Sequence, residues 1–315
     1  MSAASFTGIP LALLATTAYN VGLILEKRAL GQMPALDVRR LPQVITSLLT
    51  SRAWLAGFAL MLTGLACQTI VLTFEPVSVV QPVLASGVVL VLVLSRLVLR
   101  ERLRGAETWC VVAIVGCVIL LALSATSAEA SRDASAGSMV AVMVPSVLVG
   151  LLVAAASLRA RSYGATASGV GSGLGTGLLY GVAALTIKAL SGILARHQPA
   201  AAIAISVLSS PYLYALAGCL AVAMLLFQVA LQAGRASIVV PVSGITGSVY
   251  FIIAGTWLFH EHLPASPARL GLRLTGIVLA ALVLIALSRQ APEQASSAAT
   301  GDGGRAGDPL AEVRR

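Results

Sequence analysis

Residues 79–99 read VVQPVLASGVVLVLVLSRLVL, and residues 238–259 read IVVPVSGITGSVYFIIAGTWLF. The only charge in either stretch is Arg96. Each run is long enough to cross a hydrocarbon core of about 30 Å as a helix, and each carries a proline near its start, Pro82 or Pro241. Working outward, seven further runs of the same kind complete a set of nine: 8–25, 53–74, 79–99, 108–124, 139–158, 169–190, 212–231, 238–259 and 270–287. Apolar residues make up 58% of the chain and charged residues 10%, against roughly 25% charged in soluble proteins, so no water-facing shell can be built. Backbone groups in lipid must be bonded within the chain, and the ten-residue alternation of a transmembrane barrel is missing. Every span is therefore expected to be helical, in an all-α polytopic membrane protein.

The net charge of +9 does not point to nucleic acid, because the basic residues sit in short connections between apolar runs, with no aromatic-interleaved basic stripe. With the amino terminus outside, the cytoplasmic connections and tail hold 16 Lys and Arg and the outer connections 5, which predicts that orientation in the cell membrane. Cys67, Cys110, Cys117 and Cys219 all fall inside apolar runs without ligand-type pairing, so neither disulfides nor zinc are expected. No basic residue precedes the first apolar run, which continues directly into Glu26-Lys27-Arg28; it reads as a span rather than a cleaved signal. Residues 125–138 and the tail, 289–315, read as solvated connectors, the tail being disordered and cytoplasmic.

Compared with itself, the chain repeats at a nearly constant offset. Tyr19 matches Tyr180 and Lys27 matches Lys188 at 161; Gln68 matches Gln228, Glu101 matches Glu261 and Gly116 matches Gly276 at 160; Pro82 matches Pro241 at 159. The first four spans (repeat one, 8–124) thus map onto the last four (repeat two, 169–288), with the fifth, 139–158, as a connector. Five spans is an odd offset, so the repeats enter the membrane from opposite sides and residues 1–288 form one transporter-like domain with a site between repeats. Glu101 is then expected on the cytoplasmic side and Glu261 outside. Short apolar stretches at 41–50 and 200–210 occupy equivalent places and are too short to cross straight, which suits an interfacial or re-entrant position.

Gly169, Gly173, Gly177 and Gly181 are spaced by four and share one helix stripe, where a neighbouring backbone can approach; no strand surrounds them, so the nucleotide-loop reading fails. Such stripes also join copies of one chain, which leaves a homodimer open. Pro82 and Pro241 are expected to kink their helices beside a cavity. The polar residues deep in the spans are Tyr19, Asn20, Gln68, Gln81, Tyr180, Gln228 and Tyr250, neutral groups that bond a solute without the cost of a midplane charge. Carboxylates fall at predicted span ends: Glu26, Glu75, Glu101, Glu107 and Glu261. Glu26, Glu75, Glu101 and Glu261 are the candidates for a coupling or gating charge, Glu26 and Glu75 the best available for coupling, while Lys27 and Lys188 are expected to snorkel to the interface. His260-Glu261-His262 lacks the spacing that places two ligands on one helix face, so no metal site is assigned. No nucleophile has a base partner and no cofactor motif is found, which argues against an enzyme.

Residues 12–30, Trp54-Leu-Ala-Gly57, the turn Glu75-Pro-Val-Ser-Val-Val-Gln-Pro-Val83, the Leu99-Arg-Glu-Arg-Leu103 end and Ile187-Lys188-Ala-Leu190 resemble the drug/metabolite transporter (EamA-like) superfamily. The nine-span layout is similar to its NIPA-type magnesium transporter branch, over roughly residues 10–288. The resemblance implies a transporter that moves a small solute by alternating access. Magnesium is the alternative that the branch suggests, and a non-transporting scaffold or sensor is the rival class.

Overall fold

Apolar runs that must bond their own backbones become helices, and the chain follows that constraint wherever it is described. The computed structural model describes residues 3–34, 36, 40–74, 77–101, 105–124, 135–159, 165–194, 200–259 and 266–303. Among these residues there are eleven helices: α1 (Ala3–Leu30), α2 (Leu41–Thr50), α3 (Arg52–Phe74), α4 (Val77–Leu97), α5 (Gly105–Leu123), α6 (Ala136–Arg159), α7 (Ala165–Leu194), α8 (Ala200–Leu208), α9 (Pro211–Ala233), α10 (Ala236–Leu258) and α11 (Pro267–Gly303). The order long, short, long, long, long occurs twice, on either side of α6.

Among the described residues, five stretches are long and apolar enough to cross a membrane: Gly137–Ser157, Ser168–Leu190, Pro211–Ala233, Ala236–Leu258 and Pro267–Leu287. The pair Pro42–Thr50 and Arg52–Gln68 passes the same test only when taken together, and its two helices meet at 85°, the geometry of a broken span or a re-entrant loop. Local chemistry makes that corner. Ser51 ends α2, and its hydroxyl accepts from Trp54 N at 3.3 Å, capping the start of α3. Val44 and Leu48, one turn apart, bury one face of α2 while Ile45 and Leu49 stay exposed, as in a helix lying along an interface. Ser210 and Pro211 start α9 in a similar way, with Ser210 Oγ accepting from Tyr212 N.

Close backbone approach organises the packing. A Cβ at Gly22 in α1 would lie 2.6 Å from Gly57 O and from Met61 N in α3, and one at Gly57 would lie 2.8 Å from Glu26 N. In α7, the stripe Gly169, Gly173, Gly177 and Gly181 lies against α10; a Cβ at Gly177 would lie 2.6 Å from Ser243 O. Another α7 glycine, Gly175, faces Gly150 O of α6. Helix α7 therefore sits inside, packed on α6, α9 and α10, and 67% of its span is buried against 22% for α6. Helices α5 and α11 pair with each other through Ile114, Cys117, Leu121, Ala280 and Val283. A further core joins the first half of the chain (α1–α5) to the second (α7–α11): Leu23, Ile24, Leu30, Trp54 and Met61 with Phe227, Leu231, Ala236 and Val239. Large apolar side chains such as Trp109, Leu152, Trp257 and Leu282 point outward, the surface a lipid environment requires.

Two glycines give opposite expectations for the same substitution. Gly22→Ala should cost about 1–3 kcal/mol, because the atoms it meets are backbone. Gly218→Ala, in an exposed part of α9 with open space around it, should be neutral or gain up to about 1 kcal/mol from helix propensity. Melting temperatures of the purified variants in micelles decide; equal shifts would mean that the α1–α3 approach is not constraining.

Candidate functional site

The sequence places Glu26 at a span end, but α1 continues to Leu30 and the carboxylate is wholly enclosed, with 0% of the residue exposed. Close approach at Gly57 brings α3 over it, and α9 supplies the partner. Gln228, also 0% exposed, donates from Nε2 to Glu26 Oε2, and its Oε1 accepts from Trp54 Nε1 at 3.2 Å. The indole, a donor only, fixes which way the amide points, and the amide so oriented turns its N–H toward the carboxylate. Three helices thus meet in one polar chain, α3 to α9 to α1. Glu26 Oε1 has no hydrogen-bond partner among the described residues. A buried acceptor left open in this way is costly unless something with donors arrives.

Aromatic and phenolic groups surround this chain. Trp54 stacks on Phe58 with centroids 4.9 Å apart, and Tyr180 meets Phe227 edge-on at 5.9 Å. Tyr19 and Tyr180, repeat mates in sequence, both pack half-buried against the core that joins the two halves. Asn20 is buried beside them at the α1–α4 contact, donating from Nδ2 to Thr16 O at 2.7 Å and approaching Gly87. Pro241 is buried inside α10. Tyr250 lies apart from the cluster and donates to Ser146 Oγ of α6 at 2.7 Å. Gln68, half-buried on α3, is not joined to Glu26 by any hydrogen bond described, so the two glutamines of the repeat occupy different surroundings. Gln81 and Pro82 lie in α4 with side chains outside the described residues, as are Glu75, His260, Glu261 and His262 in full.

Beneath the cluster, the first half grips the short α9–α10 connection. Lys27, expected to snorkel, instead donates from Nζ to Leu231 O and, at 2.6 Å, to Gly234 O. Its reason is local: those carbonyls end α9 and lack helical partners, and a cation there also meets the negative end of the helix dipole. Gln232 Nε2 donates to Leu30 O and Pro34 O, both at 3.0 Å, and its Oε1 accepts from Leu36 N at 2.7 Å. Glu101 accepts from Ala236 N at 2.9 Å, Ser237 N at 3.0 Å and Ser237 Oγ at 2.6 Å, capping α10. Lys188, the sequence counterpart of Lys27, stands over the Phe259 ring at 4.9 Å. Sequence reasoning missed Trp54 and Gln232 as polar partners; Gln232 was signalled by its spacing of four from Gln228 on an otherwise apolar helix, whereas the fold alone brings the indole to Gln228.

A family model described as "Magnesium transporter NIPA" matches residues 3–291. A curated protein of Arabidopsis thaliana, "Probable magnesium transporter NIPA9", is 32% identical over 93 residues, a stretch covering 30% of this chain and 26% of that protein's length. No solved structure matches the chain.

Removing the amide should expose the cost of the lone carboxylate. Gln228→Leu leaves both Glu26 oxygens without this partner and should destabilise by about 1–3 kcal/mol, while Glu26→Leu combined with Gln228→Leu should recover much of the loss. Thermal unfolding of the three proteins tests this; additive losses would show that the two side chains are not energetically joined.

Proposed function

The chain belongs to the NIPA magnesium transporter family of membrane proteins, and from that premise we propose that it carries hydrated divalent cations, magnesium foremost, by alternating access. The observation that carries the reading is Glu26: a fully buried carboxylate at the contact of the chain's two halves, with one oxygen bonded to Gln228 and the other open. Magnesium sheds water reluctantly and is commonly held through one or two carboxylates with several waters retained. Those waters are hydrogen-bond donors. Glu26 Oε1 needs a donor, and the phenols and amides nearby can bond further waters of the shell. No group of three His, Cys, Asp or Glu side chains comes together among the described residues, so the chemistry on offer is a hydrated ion met by one charge, rather than a stripped ion in a cage.

The alternation follows from the repeat. Nine spans, with 8–124 and 169–288 inserted in opposite senses about the linking helix α6, would let the two halves rock around this cluster. The recurrence of long and short helices on either side of α6 supports that plan, and the distribution of Lys and Arg supports an amino terminus outside the cell membrane. The bond from Gln228 to Glu26 crosses between the halves, so rocking changes the partners of the carboxylate directly.

Purified protein in liposomes loaded with a magnesium-sensitive dye should raise internal magnesium well above the rate of empty liposomes. Glu26→Gln should lower that rate about tenfold or more, through loss of the one fully buried carboxylate among the described residues of the cluster, with membrane insertion unchanged. A wild-type rate equal to background would sink the magnesium reading. Uptake of organic cations by the same liposomes would then transfer the site, with its Trp54 and Tyr180 faces, to an organic solute.

A further inference from the structure

Helices α9 and α10 are joined by only Gly234 and Arg235, and beyond its own local backbone bonds that turn is met by several side chains of the first half of the chain. Lys27 holds the last carbonyls of α9, Glu101 holds the first N–H groups of α10, and Gln232 ties the chain that follows α1. The two charged groups are matched to the two helix ends they meet, cation to carbonyl end and anion to amide end, so both bonds are charge-assisted. Two features show that the grip is built rather than incidental. Arg100 has φ 55, a backbone conformation uncommon for a residue with a side chain, and Glu101 N donates back to Ser95 O at 3.1 Å; together they fold the end of α4 so that Glu101 reaches α10. Beyond the gripped turn stands Pro241, which cannot donate to Ser237 O, the carbonyl four residues earlier. The helix is continuous there, but one backbone hydrogen bond is missing between its first turn and the rest.

We propose that the α9–α10 turn is a gate on this face of the transporter, hinged at Pro241, and that Lys27 and Glu101 are the positioning residues that hold it shut. The proposal takes its purpose from the alternating-access reading: Lys27 follows Glu26 directly in α1, and α9 carries both Gln228 and the gripped carbonyls, so release of the turn moves the helix that partners the buried carboxylate. The residues that close the gate and the residue that meets the ion lie on the same two helices.

The test reads accessibility rather than transport. Ala236→Cys places a reporter at a position 1% exposed under Glu101, and Ala223→Cys places one at a position 0% exposed deeper in α9. Protein in nanodiscs, where both faces meet solution, is treated with a water-soluble maleimide, and the chain without a reporter gives the background from its four native cysteines. Glu101→Gln and Lys27→Gln should each raise labelling at 236 about tenfold, Ser237→Ala about threefold, and Glu101→Asp least; labelling at 223 should stay low throughout. Unchanged labelling at 236 in Glu101→Gln overturns the proposal, and Ser237→Ala decides in the same way if the former does not fold. Equal rises at 236 and 223 also overturn it, because they report helices coming apart rather than a turn opening. Labelling requires no transported solute, so its outcome is separate from that of the uptake assay.

Discussion

Helices in lipid gain little from apolar contact with each other, since the tails that surround them are as apolar as leucine. What holds this protein together is close backbone approach, and it occurs where a side chain would forbid it: Gly22 and Gly57 between α1 and α3, Gly173 and Gly177 between α7 and α10, Gly150 and Gly175 between α6 and α7. The polar centre depends on that approach. Gly57 lies against the backbone of Glu26, so the same contact that joins α3 to α1 brings Trp54 within reach of the chain that ends on the Glu26 carboxylate. Packing and chemistry are set by one constraint, and neither can be altered without the other.

Short turns between spans create a second demand. A helix that ends inside a bundle leaves carbonyls or amides without helical partners, and water cannot answer them there. The α9–α10 turn meets the demand with borrowed side chains, Lys27 and Gln232 on one flank and Glu101 on the other. Such bonds are few and directional, unlike the diffuse contact of the α5–α11 pair. An interface built this way can be released by moving a handful of groups, which is why bonds that complete the fold are also suited to movement.

The sequence made the membrane class, the helical content and the pairing face of α7 legible, because these depend on hydropathy and on residue spacing along one helix. It also singled out Tyr19, Asn20, Tyr180 and Gln228 as polar groups in an apolar setting, and Glu26 as a candidate coupling charge at a span end. What it could not give is which helices meet. Glu26 read as an interfacial charge because the apolar run stops at Leu25, yet α1 continues and α9 covers it. Lys27 read as snorkelling for the same reason, since nothing local to α1 announces the carbonyls of Leu231 and Gly234. Gln68 and Gln228 read as equivalents by their offset, and tertiary contact separates them. Misreadings of this kind fall on long-range partners, where periodicity carries no information.

A transported ion must be bound and then released, and the number of charges in the site sets the balance between the two. A cage of several carboxylates would strip the ion and keep it. In the proposed site Glu26 would offer one carboxylate, one oxygen of which Gln228 already occupies, so the attraction would be limited from the start. Burial strengthens that attraction, because a lone charge away from water has much to gain from a cation, yet the retained water shell keeps the ion's own desolvation small. The amide bond then does more than hold the carboxylate in place. It spans the two halves, so in the proposed rocking motion displacement of α9 from α1 would remove a donor from Glu26. Loss of that donor would make the carboxylate hungrier for the donors an ion brings, and its restoration would make the ion easier to give up. On the proposed reading, binding strength and conformation would be linked through the one hydrogen bond from Gln228 to Glu26.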